Sequence, residues 1–233
     1  MFNSSFRILS RRVKHLLNMS TTTTTTASAS SISALKAAKK QLRAEIDAKL
    51  GELSGNEVAR QSKQVHQQLF ALTEFCQARR VGLYLSLPSE VDTIAIVEHC
   101  FAQGKAVFVP KYRPKSRLME FVQLHSMADY EALPIEPKWK IKQPDPADDS
   151  RPEALSTGGL DVLLVPGVAF TTAGLRLGHG MGYFDRWQAQ CAATADITQP
   201  VTIGLALRQQ IVADVPVSEL DVRIHKVIFP QDD

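Results

Sequence analysis

No apolar run in this chain of 233 residues reaches 18 residues, so the sequence predicts no membrane-spanning helix and no membrane partner. Its three cysteines, Cys76, Cys100 and Cys191, are an odd number at distant positions and lack the spacing of a metal site. A disulfide framework or a zinc site is therefore not expected, and a reducing compartment fits best. With 44% hydrophobic and 22% charged residues, the composition predicts a soluble globular protein.

The net positive charge of the chain comes from its first 33 residues. Four of the 27 basic residues and none of the 24 acidic residues lie in residues 1–33, so the net charge of +3 becomes −1 for residues 34–233. Nucleic-acid binding usually requires a basic patch on the folded part. We therefore expect no nucleic-acid partner.

Residues 1–33 have the makeup of a targeting segment. Apolar and basic side chains alternate at helical spacing in residues 1–19, and a Ser/Thr-rich stretch with little apolar mass follows. An acid-free, Arg-bearing, Ser/Thr-rich start is typical of a mitochondrial transit peptide, which predicts a disordered extension and a mitochondrial matrix location. Two alternatives remain open: an extension without a targeting role, and a cytoplasmic form that starts at Met19.

A helical hairpin is predicted to open the folded domain, 34–233. Apolar residues recur every three or four positions from Ala34 to Leu50, which indicates an amphipathic helix. Ser54, with Glu57 three residues later, is the pattern of an N-cap and predicts a second helix that runs to Phe75.

Strands separated by helices follow the hairpin. Runs rich in β-forming residues predict strands at 81–86, 106–110, 119–124, 161–166, 201–207 and 222–229. A helix that is capped by Asp92 or Thr93 and runs to Gln103 completes a βαβ unit, whose right-handed crossover implies parallel pairing. The expected fold is an open three-layer α/β sheet, mostly parallel, with one antiparallel edge and helices on both faces.

The most informative stretch is residues 166–187, PGVAFTTAGLRLGHGMGYFDRW. It follows a predicted strand, carries glycines at 178, 180 and 182, and enters a helix near Tyr183. Ligands of open α/β sheets bind at the carboxyl ends of strands, and glycine backbone N–H groups at a helix start suit phosphate. Arg176 would add a charged planar fork. The stretch fits neither the Walker pattern nor the GxGxxG fingerprint, and the plainer alternative is a glycine-rich turn.

From about Ala34 to Phe229 the chain resembles the 5-formyltetrahydrofolate cyclo-ligase family, also called 5,10-methenyltetrahydrofolate synthetases. The resemblance is carried by the motifs AKKQLR, GLYLSLPSEVDT, ALSTGGLDVLLVPGVAF, RLGHGMGYFDR and IVADVPVSELDVRIHKVIFP. It implies the α/β fold shared with sugar-phosphate isomerase-like and CoA-transferase-like proteins. It also implies conversion of 5-formyltetrahydrofolate to 5,10-methenyltetrahydrofolate, with ATP as co-substrate, Mg²⁺ as cofactor, and ADP and phosphate as products.

The resemblance also implies roles for individual residues. Catalytic positions are Arg176, Tyr183 and Asp185, and magnesium positions are Asp185 and Asp221. The implied ATP-binding residues are Lys39, Lys40, Arg43, Arg176, Gly178, Gly180 and Gly182. The implied substrate-binding residues are Leu85, Glu90, His179, Gly180, Met181, Gly182 and Tyr183. Small-molecule substrates and a monomeric state are expected.

Several of these residues have plainer explanations when the resemblance is set aside. The lysines of AKKQLR could form a solvated basic face, and Asp185 could be a helix N-terminal charge. Glu90 and Asp221 could be ordinary loop acids. Some vertebrate members of the family carry Arg and Lys at the positions of His179 and Met181, so this chain has up to two fewer positive charges beside the phosphates.

Two other functions stay open at this stage. A folate-binding or RNA-associated relative that has lost turnover would bind folate without hydrolysing ATP. A sugar-phosphate isomerase or acyl-CoA enzyme on the same architecture would need neither ATP nor magnesium, and it rests on fold analogy alone.

Overall fold

A computed structural model describes residues 29–113, 118–137 and 140–231. The chain divides between Ala34 and Leu35 into two units, and the described part of the first is the beginning of a helix. Most of the predicted targeting segment, residues 1–28, lies outside the described residues. In the part that is described, no helix combines the length and the apolar character needed to cross a membrane.

Helices and strands alternate through the second unit. The α-helices of the described residues are α1 (Ala29–Gly51), α2 (Gly55–Ala71), α3 (Thr73–Gln77), α4 (Ile94–Ala102), α5 (Met127–Ala132) and α6 (Tyr183–Ala193). The strands are β1 (Arg80–Gly82), β2 (Ala106–Tyr112), β3 (Met119–Leu124), β4 (Val162–Val165), β5 (Ala169–Phe170), β6 (Arg176–Leu177), β7 (Val201–Leu205) and β8 (Lys226–Ile228).

The predicted helical hairpin is confirmed, with one correction. Ser54 is the N-cap of α2, and its hydroxyl accepts the backbone N–H of Glu57 at 3.2 Å. The prediction that this helix runs to Phe75 is wrong, because Leu72 has extended dihedrals (φ −72°, ψ 128°) and separates α2 from the short α3. The interruption redirects the chain so that Leu69 and Phe75 are both fully buried.

The main sheet has six strands in the order β3-β2-β1-β4-β7-β8. Neighbouring strands are parallel except for β2 and β3, whose antiparallel ladder runs from Val107 opposite Leu124 to Tyr112 opposite Met119. The prediction of a mostly parallel open sheet with one antiparallel edge is therefore confirmed.

The two faces of the sheet contribute to separate apolar cores. Along β2, Val107 and Val109 pack into one core together with residues from α1 to α4, whereas Phe108 packs into the other. Trp187 of α6 belongs to the second core, where its ring lies 4.9 Å from that of Phe121. Since successive side chains of a strand point to opposite faces, helices on both sides give three layers.

Two predicted strands are shorter than expected. The strand predicted at 81–86 pairs only over Arg80–Gly82, and the one predicted at 222–229 only over Lys226–Ile228. Residues 83–86 and 222–225, which were predicted to pair, instead belong to the loops that follow β1 and precede β8. The backbone N–H of Ile224 bonds to the carbonyl of Gly174 at 3.0 Å, which fixes the second of these loops.

The cap predicted for α4 also differs in detail. Thr93 is the N-cap residue, but its hydroxyl accepts the N–H of Ser86 at 3.0 Å, and it does not cap the helix. The Asp92 carboxylate accepts the N–H of Ile94 at 3.0 Å. Ile94 is the first residue of α4, so Asp92 bonds the helix start as one of the two predictions had it, whereas Thr93 closes the loop that precedes the helix.

The strand order reverses between β1 and β4, which are parallel neighbours with Val81 opposite Val162. In open α/β sheets such a reversal leaves a crevice outside the carboxyl ends of the strands, where ligands bind. The loop that carries Glu90 follows β1, and the glycine-rich stretch follows β4, so both meet at this crevice.

Candidate active site

Arg176 lies at the start of β6, after the turn that follows β5, and 93% of its surface is buried. Its Nη1 donates to the carbonyl of Pro166 at 3.1 Å, and its Nη2 donates to Oδ1 of Asp185 at 2.7 Å. Its Nε is buried and has no hydrogen-bond partner among the described residues. A buried donor without a partner is costly, so this one is available to a ligand oxygen.

The glycines of the loop are required by their contacts and dihedrals. A Cβ on Gly178 would lie 2.7 Å from Nη1 of Arg176, so only glycine leaves room for the guanidinium. Gly180 and Gly182 have φ values of +100° and +64°, which side chains rarely adopt. Gly182 precedes the first residue of α6, so the loop leads directly into a helix N-terminus.

Helix α1 places two cations against this loop and the loop before β8. Lys39 Nζ donates to Oδ2 of Asp221 at 2.6 Å. One turn later, Arg43 Nε donates to the carbonyl of Gly178 at 2.8 Å. Residues four apart lie on the same helix face, so one turn of α1 bridges both loops. Lys40, by contrast, is exposed and has no hydrogen bond or ion pair with any described residue.

Asp221 is held in its ionised form. Burial disfavours the carboxylate, but the hydrogen bonds from Lys39 and from the hydroxyl and backbone of Ser218 outweigh burial and lower the pKa of Asp221. Burial also lowers the pKa of Arg43, while the negative charges of Asp221 and Asp47 oppose that shift. The site therefore contains paired opposite charges of low exposure.

Asp185 and Asp221 were predicted to bind magnesium, and each carboxylate has one oxygen that no described residue bonds. Oδ1 of Asp185 accepts the N–H of Val222 at 3.3 Å, which places it beside the residue that follows Asp221. Every hydrogen bond that the described residues make to Asp185 falls on Oδ1, and every one to Asp221 falls on Oδ2. One oxygen of each carboxylate thus remains open.

Within the described ranges, no group of three or more His, Cys, Asp or Glu side chains gathers at a metal-binding distance. A cage made only of protein ligands is therefore not present in that part of the chain. Magnesium usually binds through one or two carboxylates and completes its octahedron with water and phosphate oxygens. The two open oxygens fit that mode.

Glu90 lies at the other side of the crevice and is 8% exposed. Its Oε2 accepts the backbone N–H of Leu87 at 2.9 Å, and its Oε1 lies 3.4 Å from Nε2 of His179. Burial and the nearby Glu90 charge raise the pKa of Tyr84 and of Tyr112. The structure therefore brings Glu90 and the glycine loop together.

A small cavity of about 20 Å³ is lined in part by Tyr84 and Tyr112, the two tyrosines on which the Glu90 charge acts. It is lined by Tyr84, Leu85, Pro110, Tyr112, Ile141 and Gln143. The ring of Tyr112 lies 4.8 Å from that of Tyr183, so the cavity connects to the start of α6. Leu85 was predicted to contact substrate, whereas Tyr112, Ile141 and Gln143 were missed.

A larger cavity of about 240 Å³ lies beside α6 and contains none of the predicted site residues. Its lining includes Gln188, Gln199, Thr202, Arg223 and His225. The ion pairs, the glycine loop and the reversal of the strand order between β1 and β4 all lie outside this larger cavity. We therefore propose that the active site lies at the crevice.

Most predicted site residues meet at this crevice. The exceptions are Lys40, which is exposed, and Met181, whose surface is 49% exposed at the tip of the loop. Arg186 Nη2 donates to the carbonyl of Met181 at 2.7 Å and fixes the backbone there.

Comparison with known proteins identifies the family of the chain. A profile of the 5-formyltetrahydrofolate cyclo-ligase family matches residues 35–230. The 5-formyltetrahydrofolate cyclo-ligase of Mus musculus is 38% identical over 195 residues, which cover 84% of this chain and 95% of that protein. An Arabidopsis thaliana relative named "5-formyltetrahydrofolate cyclo-ligase, mitochondrial" is 26% identical over 239 residues, covering 95% and 83%.

The fold is also similar to that of a solved structure. The NMR structure of Aquifex aeolicus 5,10-methenyltetrahydrofolate synthetase has a TM-score of 0.64 and 26% sequence identity, and the alignment covers 82% of this chain and 88% of that one. The match of the profile and the similarity to the mouse enzyme both extend over most of the chain. This chain therefore belongs to the 5-formyltetrahydrofolate cyclo-ligase family.

Proposed function

We propose that the crevice catalyses the ATP-dependent conversion of 5-formyltetrahydrofolate to 5,10-methenyltetrahydrofolate, with release of ADP and phosphate. The observation that carries the proposal is the convergence of two buried or half-buried ion pairs, Arg176–Asp185 and Lys39–Asp221, beside the buried Glu90. The cations suit a triphosphate, the open carboxylate oxygens suit the magnesium ion that accompanies it, and Glu90 suits a ring with N–H donors.

The first step is phosphoryl transfer. The formyl oxygen on N5 attacks the γ-phosphorus of ATP, and the bond to the β-phosphate oxygen breaks to release ADP. Such transfer depends on positioning and charge neutralisation more than on covalent help from the protein. Arg176, with its unpartnered Nε, and the backbone N–H groups of Gly178, Gly180 and Gly182 are placed to hold the transferred group.

Ring closure follows at the activated carbon. N10 attacks that carbon, the carbon–oxygen bond to the phosphate breaks, and inorganic phosphate leaves while N10 loses its proton. Tyr183 at the first position of α6, beside Tyr112, supports the substrate at this point. Lys39 and Arg43, which lie against the loop before β8 and the glycine loop, bind the remaining phosphates.

Asp185 Oδ2 and Asp221 Oδ1 would hold a magnesium ion. When bound, this ion neutralises phosphate charge and orients the triphosphate. The two carboxylates also orient Arg176 and Lys39 through their other oxygens.

The folate pterin is proposed to bind at Glu90. A carboxylate can accept paired hydrogen bonds from the amino and ring N–H groups of a pterin, a donor edge that selects for an acid. Leu85, which is 6% exposed, and the small cavity beside it provide apolar contact for the ring. Met181 would contact the substrate from the glycine loop, which also carries His179.

Residues 1–33 are proposed to act as a separate mitochondrial transit peptide, and residues 34–233 as the catalytic domain, acting as a monomer. The acid-free composition of the segment and the printed name of the Arabidopsis relative support this location. The cytoplasm remains the alternative location.

Measurement of ADP release tests the proposed activity. We expect the full chain to release ADP from ATP only when 5-formyltetrahydrofolate is present, with one ADP for each methenyl product formed. Calorimetric binding of folate without ADP release would contradict the proposal and favour a binding protein that has lost turnover.

A further inference from the structure

The two oxygens of the Glu90 carboxylate face different loops. Oε2 accepts the backbone N–H of Leu87 at 2.9 Å, within the loop that follows β1. Oε1 lies 3.4 Å from Nε2 of His179, on the glycine loop. The His179 side chain is 40% exposed, whereas that of Glu90 is 9% exposed. One side-chain pair therefore joins the proposed folate loop to the proposed phosphate loop.

A buried carboxylate requires partners, because removal from water disfavours its charge. His179 supplies the partner of Oε1. The proposed pterin would direct its donors at the same carboxylate. The imidazole occupies the approach to Oε1, so the pterin and His179 require the same space.

We propose that His179 competes with the folate pterin for Glu90, so that the glycine loop closes the folate site of the substrate-free enzyme and opens when folate binds. The inference rests on the proposed function. It adds that the affinity for folate depends on the protonation of one histidine, because a charged imidazole pairs more strongly with a carboxylate.

The other charged groups near His179 keep their charge in the neutral range. Arg43 donates to the carbonyl of Gly178, and Arg186 donates to that of Met181. Arg176 also lies against the loop, since its Nη1 is 2.7 Å from the point where a Cβ on Gly178 would lie. Guanidinium groups do not lose their protons in this range, so their effect on His179 does not change with pH.

The groups around Glu90 include one further histidine. Burial raises the pKa of Tyr84 and of Tyr112, so both stay neutral, and Asp92 is a carboxylate of the same loop. His66 of α2 donates through Nε2 to the carbonyl of Asp92 at 2.6 Å. His179 and His66 are therefore the two imidazoles to separate by mutation.

Direct binding of 5-formyltetrahydrofolate, measured by calorimetry without ATP at pH 8, 7 and 6, tests the proposal. For the full wild-type chain we expect the Kd to rise at least about threefold from pH 8 to pH 6. H179A and H179Q should lose most of this rise, because neither side chain gains a charge. H179A should bind folate more tightly than the wild type at pH 6.

His125→Ala is the matched control. His125 is exposed and lies after β3, where its backbone N–H bonds to Asp129. It should keep the wild-type pH dependence. Near-ultraviolet circular dichroism confirms that each variant is folded, and H179Q retains a side chain of similar reach if H179A perturbs the loop.

Three outcomes would overturn the proposal. The first is a wild-type Kd that does not rise as the pH falls. The second is a rise in Kd that persists in both His179 variants, which would point to His66, and the third is weaker folate binding by H179A than by the wild type at every pH. By contrast, failure of the wild-type chain to bind folate at pH 8 would contradict the proposed function itself. The two failures are therefore distinguishable.

Discussion

Lys39 and Asp221 lie 182 positions apart in the sequence and form an ion pair of 2.6 Å between Nζ and Oδ2. The exposed fractions of the two side chains are 16% and 22%, so the pair is partly desolvated. It attaches α1 to the loop before β8, and the same helix turn holds the glycine loop through Arg43. The proposed nucleotide site therefore depends on a helix that precedes the whole sheet.

Lys39→Met should raise the KM for ATP about tenfold or more, because loss of a charge-assisted contact removes on the order of 1.4 kcal/mol of binding. It also leaves Asp221 without its cation. Steady-state kinetics with varied ATP measures this. Lys49→Met, an exposed lysine in the last turn of the same helix, is the control and should behave as wild type. Equal KM values for the two variants would remove Lys39 from the nucleotide site.

Arg176→Lys should lower kcat about 100-fold or more while preserving the charge. The three donors of a lysine are on one nitrogen, so they cannot reach Pro166, Asp185 and a ligand from three separate positions, as Nη1, Nη2 and Nε of the guanidinium do. Arg223→Lys, at an exposed position, should leave kcat unchanged. Retained kcat in Arg176→Lys would show that charge alone is sufficient and that the planar fork has no role.

Much of the fold and of the site could be predicted from the sequence. Periodicity, caps and β-forming runs gave the helical hairpin and the βαβ unit, and the motif around Arg176 led to the glycine loop. Tyr112 was missed because it ends a strand and carries no motif. The sheet order explains its position, since the carboxyl end of β2 lies beside that of β1.

Other features have no local sequence signal. The break at Leu72 contains neither Gly nor Pro and results from the burial of Leu69 and Phe75 on either side. The short hairpin of β5 and β6 pairs only Ala169 with Leu177 and Phe170 with Arg176, too few residues for an alternating pattern. Lys40 resembles Lys39 in sequence, and only the helix phase separates their environments.

Gly174→Ala should destabilise the fold by about 2 kcal/mol or more, through a strained backbone and a clash. The φ of Gly174 is +87°, and a Cβ there would lie 2.3 Å from the carbonyl oxygen of Ile224. Gly55→Ala is the control, because a Cβ on Gly55 meets nothing within 4 Å and lies at the start of α2. Urea unfolding compares the two. Similar unfolding midpoints would contradict the account of the loop before β8.

Asp129 and Arg151 predict a pH-dependent contribution to stability. Both guanidinium Nη atoms donate to the carboxylate at 2.7 Å, and the hydrogen bonds from Arg151 lower the pKa of Asp129. A carboxylate whose pKa is lowered on folding stabilises the protein above its unfolded pKa of about 4, and this stabilisation is lost as the pH falls through the folded pKa.

Urea unfolding of the wild type and of Asp129→Asn at several pH values measures this contribution. We expect the asparagine variant to be less stable at pH 7 and the difference between the two proteins to shrink below about pH 4. A difference that stays constant down to pH 3 would show that the carboxylate charge is not the source.

The formation of 5,10-methenyltetrahydrofolate, followed by its ultraviolet absorbance, tests the central claim most directly. With purified full-length protein and 5-formyltetrahydrofolate, the account predicts product only when ATP and magnesium are both present, and a rate that falls at least about 100-fold in Arg176→Lys. No product from a folded protein that binds the folate, or product that forms equally well without ATP, would contradict it.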